Sequence, residues 1–308
     1  MRLTADLTKE YGLALEGGGA KGAYQIGVFR ALKEAGMRIR AVAGVSVGAL
    51  NAALICQDDL PRAWKLWESI SPEELLGRGV LKSDGRLDLK QIIRQRGIDT
   101  ALLRKLIQKE IDADKIRQAD CACYAAAFST EHRRQLIYDV RRLPAHAIAD
   151  MLLASAYYPA FRRARLVYGH FLDGALLDKV PADLLELHGV KNILAIRIYG
   201  VGINRTPFLK RKPGITYTEI APGERLGGML DFSQKKLHFY LKLGYFDGLR
   251  FLYGLSGEKY YFDCEKSEKV CYNIQSMEKL GMALKIPRFR IYQPQAFLDC
   301  IKAAQEKG

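Results

Sequence analysis

The sequence predicts an α/β chain built on a parallel, doubly wound sheet. Three observations carry this. Strand-like and helix-like segments alternate from the N-terminus, a glycine-rich turn closes the first strand, and a Gly-x-Ser-x-Gly turn closes the second. Tyr11–Glu16 reads as a short buried strand and runs into Gly17-Gly18-Gly19-Ala20-Lys21-Gly22. Ala23–Ala35 then has Tyr24, Val28, Ala31, Leu32 and Ala35 at helical spacing and is closed by Gly36. Ile39–Val45 is the second strand. A helix of small residues follows it to about Cys56.

The segment Ala41–Ala53 has the form of a nucleophile elbow, a serine on a sharp strand-to-helix turn. Such a turn strains the serine backbone and brings neighbouring chain segments close, so Gly44 and Gly48 supply bare backbone on either side of Ser46. The helix that follows aims its N-terminus at the reacting oxygen.

Further along, Pro61–Ile70 reads as an amphipathic helix carrying Trp64 and Trp67, Ser83–Arg86 as a turn, and Leu87–Gln95 and Thr100–Ile111 as helical. Cys121–Ser129 and Gln135–Val140 are strands joined by a charged turn, and Ala145–Tyr157 is a helix ended by Pro159. Leu166–Leu172 is strand-like and delivers Asp173-Gly174-Ala175. A helix starts near Val180–Asp183, and Asn192–Tyr199 is a strand. Beyond Gly200 the texture changes. Val201–Glu224 reads as loop with an extended piece at Ile215–Ile220, Leu237–Leu255 as a helical region crowded with aromatic residues and broken by Gly244 and Gly248, and Gln295–Ala304 as a short amphipathic helix.

The bulk numbers bound the function. The 308 residues are ample for a sizeable core, and 49% hydrophobic with 27% charged residues is ordinary for a globular chain. A net charge of +14 favours anionic partners. The basic residues occur as scattered pairs such as Arg133-Arg134 and Lys235-Lys236, with no nucleic-acid motif, so a nucleic-acid partner is not expected. The six cysteines, Cys56, Cys121, Cys123, Cys264, Cys271 and Cys300, form no Cys-x-x-Cys pair and read as reduced thiols. The N-terminus carries no apolar signal core, and no apolar run approaches spanning length. The expectation is a cytoplasmic protein with room for peripheral contact with an anionic membrane.

Gly17, Gly19 and Gly22 fit Gly-x-Gly-x-x-Gly, but the second strand ends on Gly44-Val45-Ser46 instead of the carboxylate a dinucleotide site needs. The other use of bare backbone beside a nucleophile is an oxyanion hole. A serine also needs a base. The five histidines are His132, His146, His170, His188 and His238, and none stands in a loop after a strand in the order an α/β-hydrolase requires. Asp173 at a strand end, followed by two small residues, can approach the elbow closely. A Ser–Asp dyad suffices chemically when a low-dielectric site raises the basicity of the carboxylate. Asp84-Gly85 and Asp247-Gly248 read as plain turns.

The glycine stretch Gly17–Gly22, the elbow Gly44–Gly48 and Asp173-Gly174-Ala175, in that order, resemble the three motifs of the patatin-like phospholipases. Ala154–Phe161 resembles the family's Ser-x-x-x-Pro segment, and Leu241–Gly248 faintly resembles a late helix of bacterial members. The similarity covers roughly Tyr11–Gly200. It implies a three-layer α/β/α fold with a mostly parallel central sheet, as one domain over 1–308 with a catalytic core at 11–200 and a C-terminal extension, 201–308, packed on it. It further implies Ser46 as nucleophile and Asp173 as its base. Backbone N–H groups of Gly17, Gly18 and Gly19 would hold the oxyanion, with Lys21, Gly22, Gly44, Gly48, Gly174 and Ala175 supporting the motifs. The implied activity is hydrolysis of acyl esters of lipids, of phospholipase or lysophospholipase type, through an acyl-enzyme, with no metal or organic cofactor. The alternatives are an acyltransferase using the same dyad and a lipid-surface binding protein that keeps the fold without turnover. The pocket is expected to draw on the Trp64/Trp67 helix and the aromatic region after Leu237.

Overall fold

Parallel strands covered on both faces have no polar face to alternate with, which is why the first two strands read as near-continuous apolar runs. The computed structural model describes residues 2–82, 87–204, 212–264 and 268–306. In it, β1 (Glu10–Leu15), α1 (Ala23–Glu34), β2 (Arg38–Gly44) and α2 (Val47–Cys56) alternate as expected. Five short helices follow: α3 (Leu60–Ser69), α4 (Pro72–Leu76), α5 (Leu89–Arg94), α6 (Ala101–Glu110) and α7 (Ala113–Gln118). Then come β3 (Ala122–Ser129), β4 (Arg134–Asp139), α8 (Ala145–Ser155), β5 (Phe171–Asp173), α9 (Ala182–Leu187), β6 (Asn192–Ile196) and β7 (Thr216–Ile220). The chain closes with α10 (Gln234–Tyr253), β8 (Tyr261–Phe262), α11 (Glu268–Ala283), β9 (Ile291–Tyr292) and α12 (Pro294–Gln305).

The central sheet has the order β4-β3-β2-β1-β6-β7, with β5 also paired to β3. The pairs from β3 through β7 are parallel, and only β4 and β5 run antiparallel to β3. Alternate residues of the strands face two different cores. Leu13, Leu15 and Val42 join α1, α2, α8 and α10 on one side. Ala14, Ala41 and Ala43 meet Leu184, Leu185 and Val190 around α9 on the other. The fold is thus the expected α/β/α arrangement on a mostly parallel sheet. A third, smaller core joins β8, β9, α11 and α12 through Tyr260, Phe262, Met277 and Phe297.

Three sequence expectations are corrected. Gly244 and Gly248 do not break the late helix, because α10 is continuous and uses them to cross α1 at close range. A Cβ on Gly244 would lie 2.0 Å from the Tyr24 carbonyl oxygen, and one on Gly27 of α1 would lie 2.1 Å from that of Leu241. Asp247 is likewise no turn residue. It is buried inside α10, where its carboxylate accepts from the hydroxyls of Tyr24 at 2.8 Å and Tyr261 at 3.0 Å and pairs with Arg250. The strand expected at Leu166–Leu172 shrinks to Phe171–Asp173, since a turn joins Leu166 to Gly169, whose φ is +122°. The Ser83–Arg86 turn, the side chain of Cys271 and part of the Val201–Glu224 loop lie outside the described residues.

Candidate active site

The parallel strands deliver their C-terminal ends to one edge of the sheet, where crevices between loops form. β1 ends in the glycine stretch and β2 ends in the elbow. β5 descends antiparallel along β3 and sets Asp173 opposite Ala127, close above the level at which Gly44 pairs with Ala125.

Ser46 occupies the cap position of α2 with φ +55° and ψ −132°, a backbone region that costs free energy and persists only when its surroundings over-determine it. The surroundings do so. A Cβ on Gly44 would lie 2.1 Å from the Gly48 carbonyl oxygen, and one on Gly48 would lie 2.3 Å from that of Leu15. The Ser46 amide donates to both the carbonyl and the hydroxyl oxygen of Ser155 at 3.1 Å. The Ser155 hydroxyl donates in turn to the Ala126 carbonyl at 2.7 Å. Ser155, which entered the sequence reading only within the Ser-x-x-x-Pro segment, therefore ties the elbow to β3.

Asp173 is buried beside Ser46. Its Oδ1 accepts from the Ala175 amide at 2.8 Å, which fixes the role of the small residues that follow it. A Cβ on Gly174 would lie 2.2 Å from the Ala126 carbonyl oxygen. Burial pushes the Asp173 carboxyl up to about 6. Interaction with the Ser46 hydroxyl and the Ala175 amide restrains the rise without cancelling it. A carboxylate of that basicity accepts a proton far more readily than a solvated aspartate. None of the five histidines lines this site. His188 stacks on Tyr124 at 4.0 Å, and His170 pairs with Glu131.

The glycine stretch divides by role. Gly19 lines the cavity with Ser46 and Asp173. The Gly17 amide, expected in the oxyanion hole, is already committed to the Lys179 carbonyl at 3.1 Å, in the loop before α9. Gly18 and Gly19 donate to no carbonyl among the described residues. The Gly22 carbonyl accepts from Asn51 Nδ2 at 2.9 Å, which links the start of α1 to α2. Lys21 does not reach the cavity. Its Nζ donates to the Tyr199 carbonyl at 3.0 Å and so holds the turn after β6.

Sequence reasoning missed Glu16. It is fully buried, and its carboxylate gathers Arg197 Nε at 3.0 Å, Lys179 Nζ at 3.3 Å and the amides of Ile198, Tyr199 and Gly200 at 2.7, 3.0 and 3.1 Å. This hub clamps the turn after β6 against the glycine stretch. The available signal was a glutamate ending an otherwise apolar strand, where a buried charge demands partners. The residues of the hub are far apart in sequence, so only the fold names them.

A cavity of ≈ 130 Å³ opens beside Ser46 and Asp173. Its lining is mostly aliphatic and aromatic, from α2, α3 and α6, with Met229, Leu230 and Phe232 closing one side. Trp67 contributes to it as expected. Trp64 instead stacks under Arg30 at 4.5 Å, and the aromatic residues of α10 pack elsewhere, on α1 and the C-terminal core. Among the described residues no cluster of side chains could hold a metal ion, and no helix is long and apolar enough to cross a membrane.

The chain is 55% identical over 47 residues to a neuropathy target esterase of Drosophila sechellia, covering 15% of this chain and 3% of that protein. It is 50% identical over 50 residues to a lysophospholipase of Aspergillus terreus, covering 16% and 3%. The chain thus spans a small fraction of the length of these curated relatives. Among solved structures, VipD from Legionella pneumophila superposes with a TM-score of 0.50 at 15% identity, over 98% of this chain and 80% of that one, a likeness of fold. The model of the patatin-like phospholipase family matches residues 13–186, more than half of the sequence, from within β1 to beyond Asp173. The chain belongs to the patatin-like phospholipase family.

Proposed function

We propose that the chain is a serine acyl hydrolase acting on acyl esters of lipids. The observation that carries this reading is a serine on a strained elbow beside a buried aspartate of raised basicity, both opening on an apolar cavity. Ser46 Oγ attacks the ester carbonyl carbon while Asp173 accepts the hydroxyl proton. The tetrahedral oxyanion is held by the amides of Gly18 and Gly19, which serve no carbonyl among the described residues. Asp173 returns its proton to the departing alcohol, leaving acyl-Ser46. Water then gives a proton to Asp173 and attacks the acyl carbon, and Asp173 passes that proton to the departing Ser46 Oγ, releasing the fatty acid and restoring both residues. The apolar lining accommodates the hydrocarbon part of the substrate.

The lipid surface itself is the second partner in this reading. Tyr199, Val201 and Ile203 are 53, 78 and 55% exposed in the turn after β6, and Leu176, next to the Asp173 turn, is 42% exposed. Together with the net charge of +14, these side chains suit docking of this edge on an anionic bilayer, which screening by salt weakens.

Labelling by a fluorophosphonate probe tests the chemistry. The wild type is expected to label and to hydrolyse lipid esters, and Ser46→Ala and Asp173→Asn to do neither. Labelling and turnover retained in Ser46→Ala would refute the assignment.

A further inference from the structure

Thiols far apart in sequence meet at the end of α2 remote from Ser46. Cys56 is the last residue of α2, Cys121 immediately precedes β3, and Cys123 lies within it. The sulfurs of Cys56 and Cys121 stand 3.3 Å apart, although 65 residues separate them along the chain. Both thiols also lie against the Ala122 carbonyl oxygen, at 3.6 and 3.7 Å. All three cysteines are free, but they differ in access. Cys56 and Cys123 are buried, whereas Cys121 is partly exposed. Burial pushes the Cys56 thiol well up, and the neighbouring thiols of Cys121 and Cys123 add to the rise. Cys56 is therefore shielded from an aqueous oxidant, while Cys121 meets it. A disulfide needs its sulfurs about 2.05 Å apart, so closure asks this pair for a movement of about 1.2 Å. The chain between the two cysteines carries α3–α7, and with them Trp67, Leu76, Leu103 and Ile107 of the cavity wall. At its other end α2 is already tied to β3, through the Ser46 amide, the Ser155 hydroxyl and the Ala126 carbonyl.

We propose that Cys56 and Cys121 are a peroxide-responsive thiol pair, a modification site whose disulfide staples the C-terminal end of α2 to the start of β3. The Cys121 thiolate attacks one oxygen of hydrogen peroxide. The O–O bond breaks, hydroxide leaves and takes up the thiol proton as water, and Cys121 becomes a sulfenic acid. Cys56 Sγ then attacks the Cys121 sulfur. The S–S bond forms, the S–O bond breaks, and the hydroxide leaves with the Cys56 proton as a second water. Each sulfur gives up one electron and the peroxide accepts both. The new bond closes the segment bearing α3–α7 into a covalent loop, which removes conformational freedom from the unfolded chain. A dithiol reverses the step by exchange. The proposal stands apart from the hydrolase reading, since neither Ser46 nor Asp173 takes part.

Peptide mapping tests the pairing, and thermal melting tests the staple. The full chain is reduced, freed of reductant, treated with hydrogen peroxide, quenched with catalase and alkylated before digestion. The expected product is a Cys56–Cys121 disulfide, with an intact mass lower by a pair of hydrogen atoms that dithiothreitol restores. The oxidised protein is expected to melt about 5–10 °C above the reduced one. Cys121→Ser, at the partly exposed position, should lose both the cross-link and the rise in Tm, whereas Cys123→Ala should keep both. Should Cys123→Ala not fold, the wild-type peptide map alone decides which thiol is the partner. Pairing of Cys56 with Cys123, Cys121 driven to sulfinic acid while Cys56 remains open to alkylation, Cys121 left unoxidised by peroxide, or an oxidised protein that melts no higher than the reduced one overturns the proposal.

Discussion

Replacing Asp173 by asparagine is expected to make the protein more stable at neutral pH while abolishing turnover. In the folded chain the Asp173 carboxyl is pushed up to about 6 from an ordinary value of 3.8, chiefly by burial. The folded state therefore binds this proton more tightly than the unfolded state does. The stability that comes with it is fully present below the unfolded value and is lost as pH rises through the folded one. At pH 8 the wild type carries an ionised carboxylate in a dry site. The rise of about 2.2 corresponds to roughly 3 kcal/mol. At pH 4.5 most of the folded population is protonated and the penalty falls to about 1 kcal/mol. The side-chain amide introduced by Asp173→Asn keeps an acceptor for the Ala175 N–H without the charge. Urea denaturation of wild type and Asp173→Asn at the two pH values reads the difference directly. The gain of Asp173→Asn over wild type should be larger by about 2 kcal/mol at pH 8 than at pH 4.5. With Asp173 as the proposed base, the same ionisation governs activity, so wild-type kcat/KM should fall about tenfold per pH unit below 6 and level above it. A stability difference that does not change with pH, or an activity limb centred near 4, would refute the buried-base argument.

Other perturbations give distinct signatures. Gly48→Ala places a methyl 2.3 Å from the Leu15 carbonyl oxygen and should destabilise by about 3 kcal/mol in urea titrations, since the neighbour is strand backbone and cannot swing away. Ser155→Ala removes the hydroxyl that joins the Ser46 amide to the Ala126 carbonyl. A cost of about 1–3 kcal/mol, with kcat reduced and KM little changed, is the expected result in paired denaturation and kinetic assays. Glu16→Gln leaves Lys179 and Arg197 without their buried partner and should cost about 3–5 kcal/mol. Hydrogen exchange should show the Ile198–Gly200 amides losing protection first.

The sequence by itself determined the local chemistry. Apolar runs closed by glycines fix β1, β2 and the helices after them. Gly44 and Gly48 announce an elbow because no other residue tolerates backbone carbonyls at about 2 Å from its Cβ position. Asp173 was legible because a carboxylate at a strand end followed by small residues is a local pattern. The late helix was misread for a related reason. Gly244, Asp247 and Gly248 have turn-forming preferences in isolation, and only the crossing of α10 over α1 and the hydroxyls of Tyr24 and Tyr261 turn them into helix-packing and buried-network residues. The raised basicity of Asp173, the commitment of the Gly17 amide to Lys179, the Glu16 hub and the lining of the cavity were likewise decided by tertiary structure. Each depends on burial or on partners distant in sequence. Desolvation and long-range pairing are properties of the packed chain, whereas propensity, turn geometry and periodicity are written residue by residue.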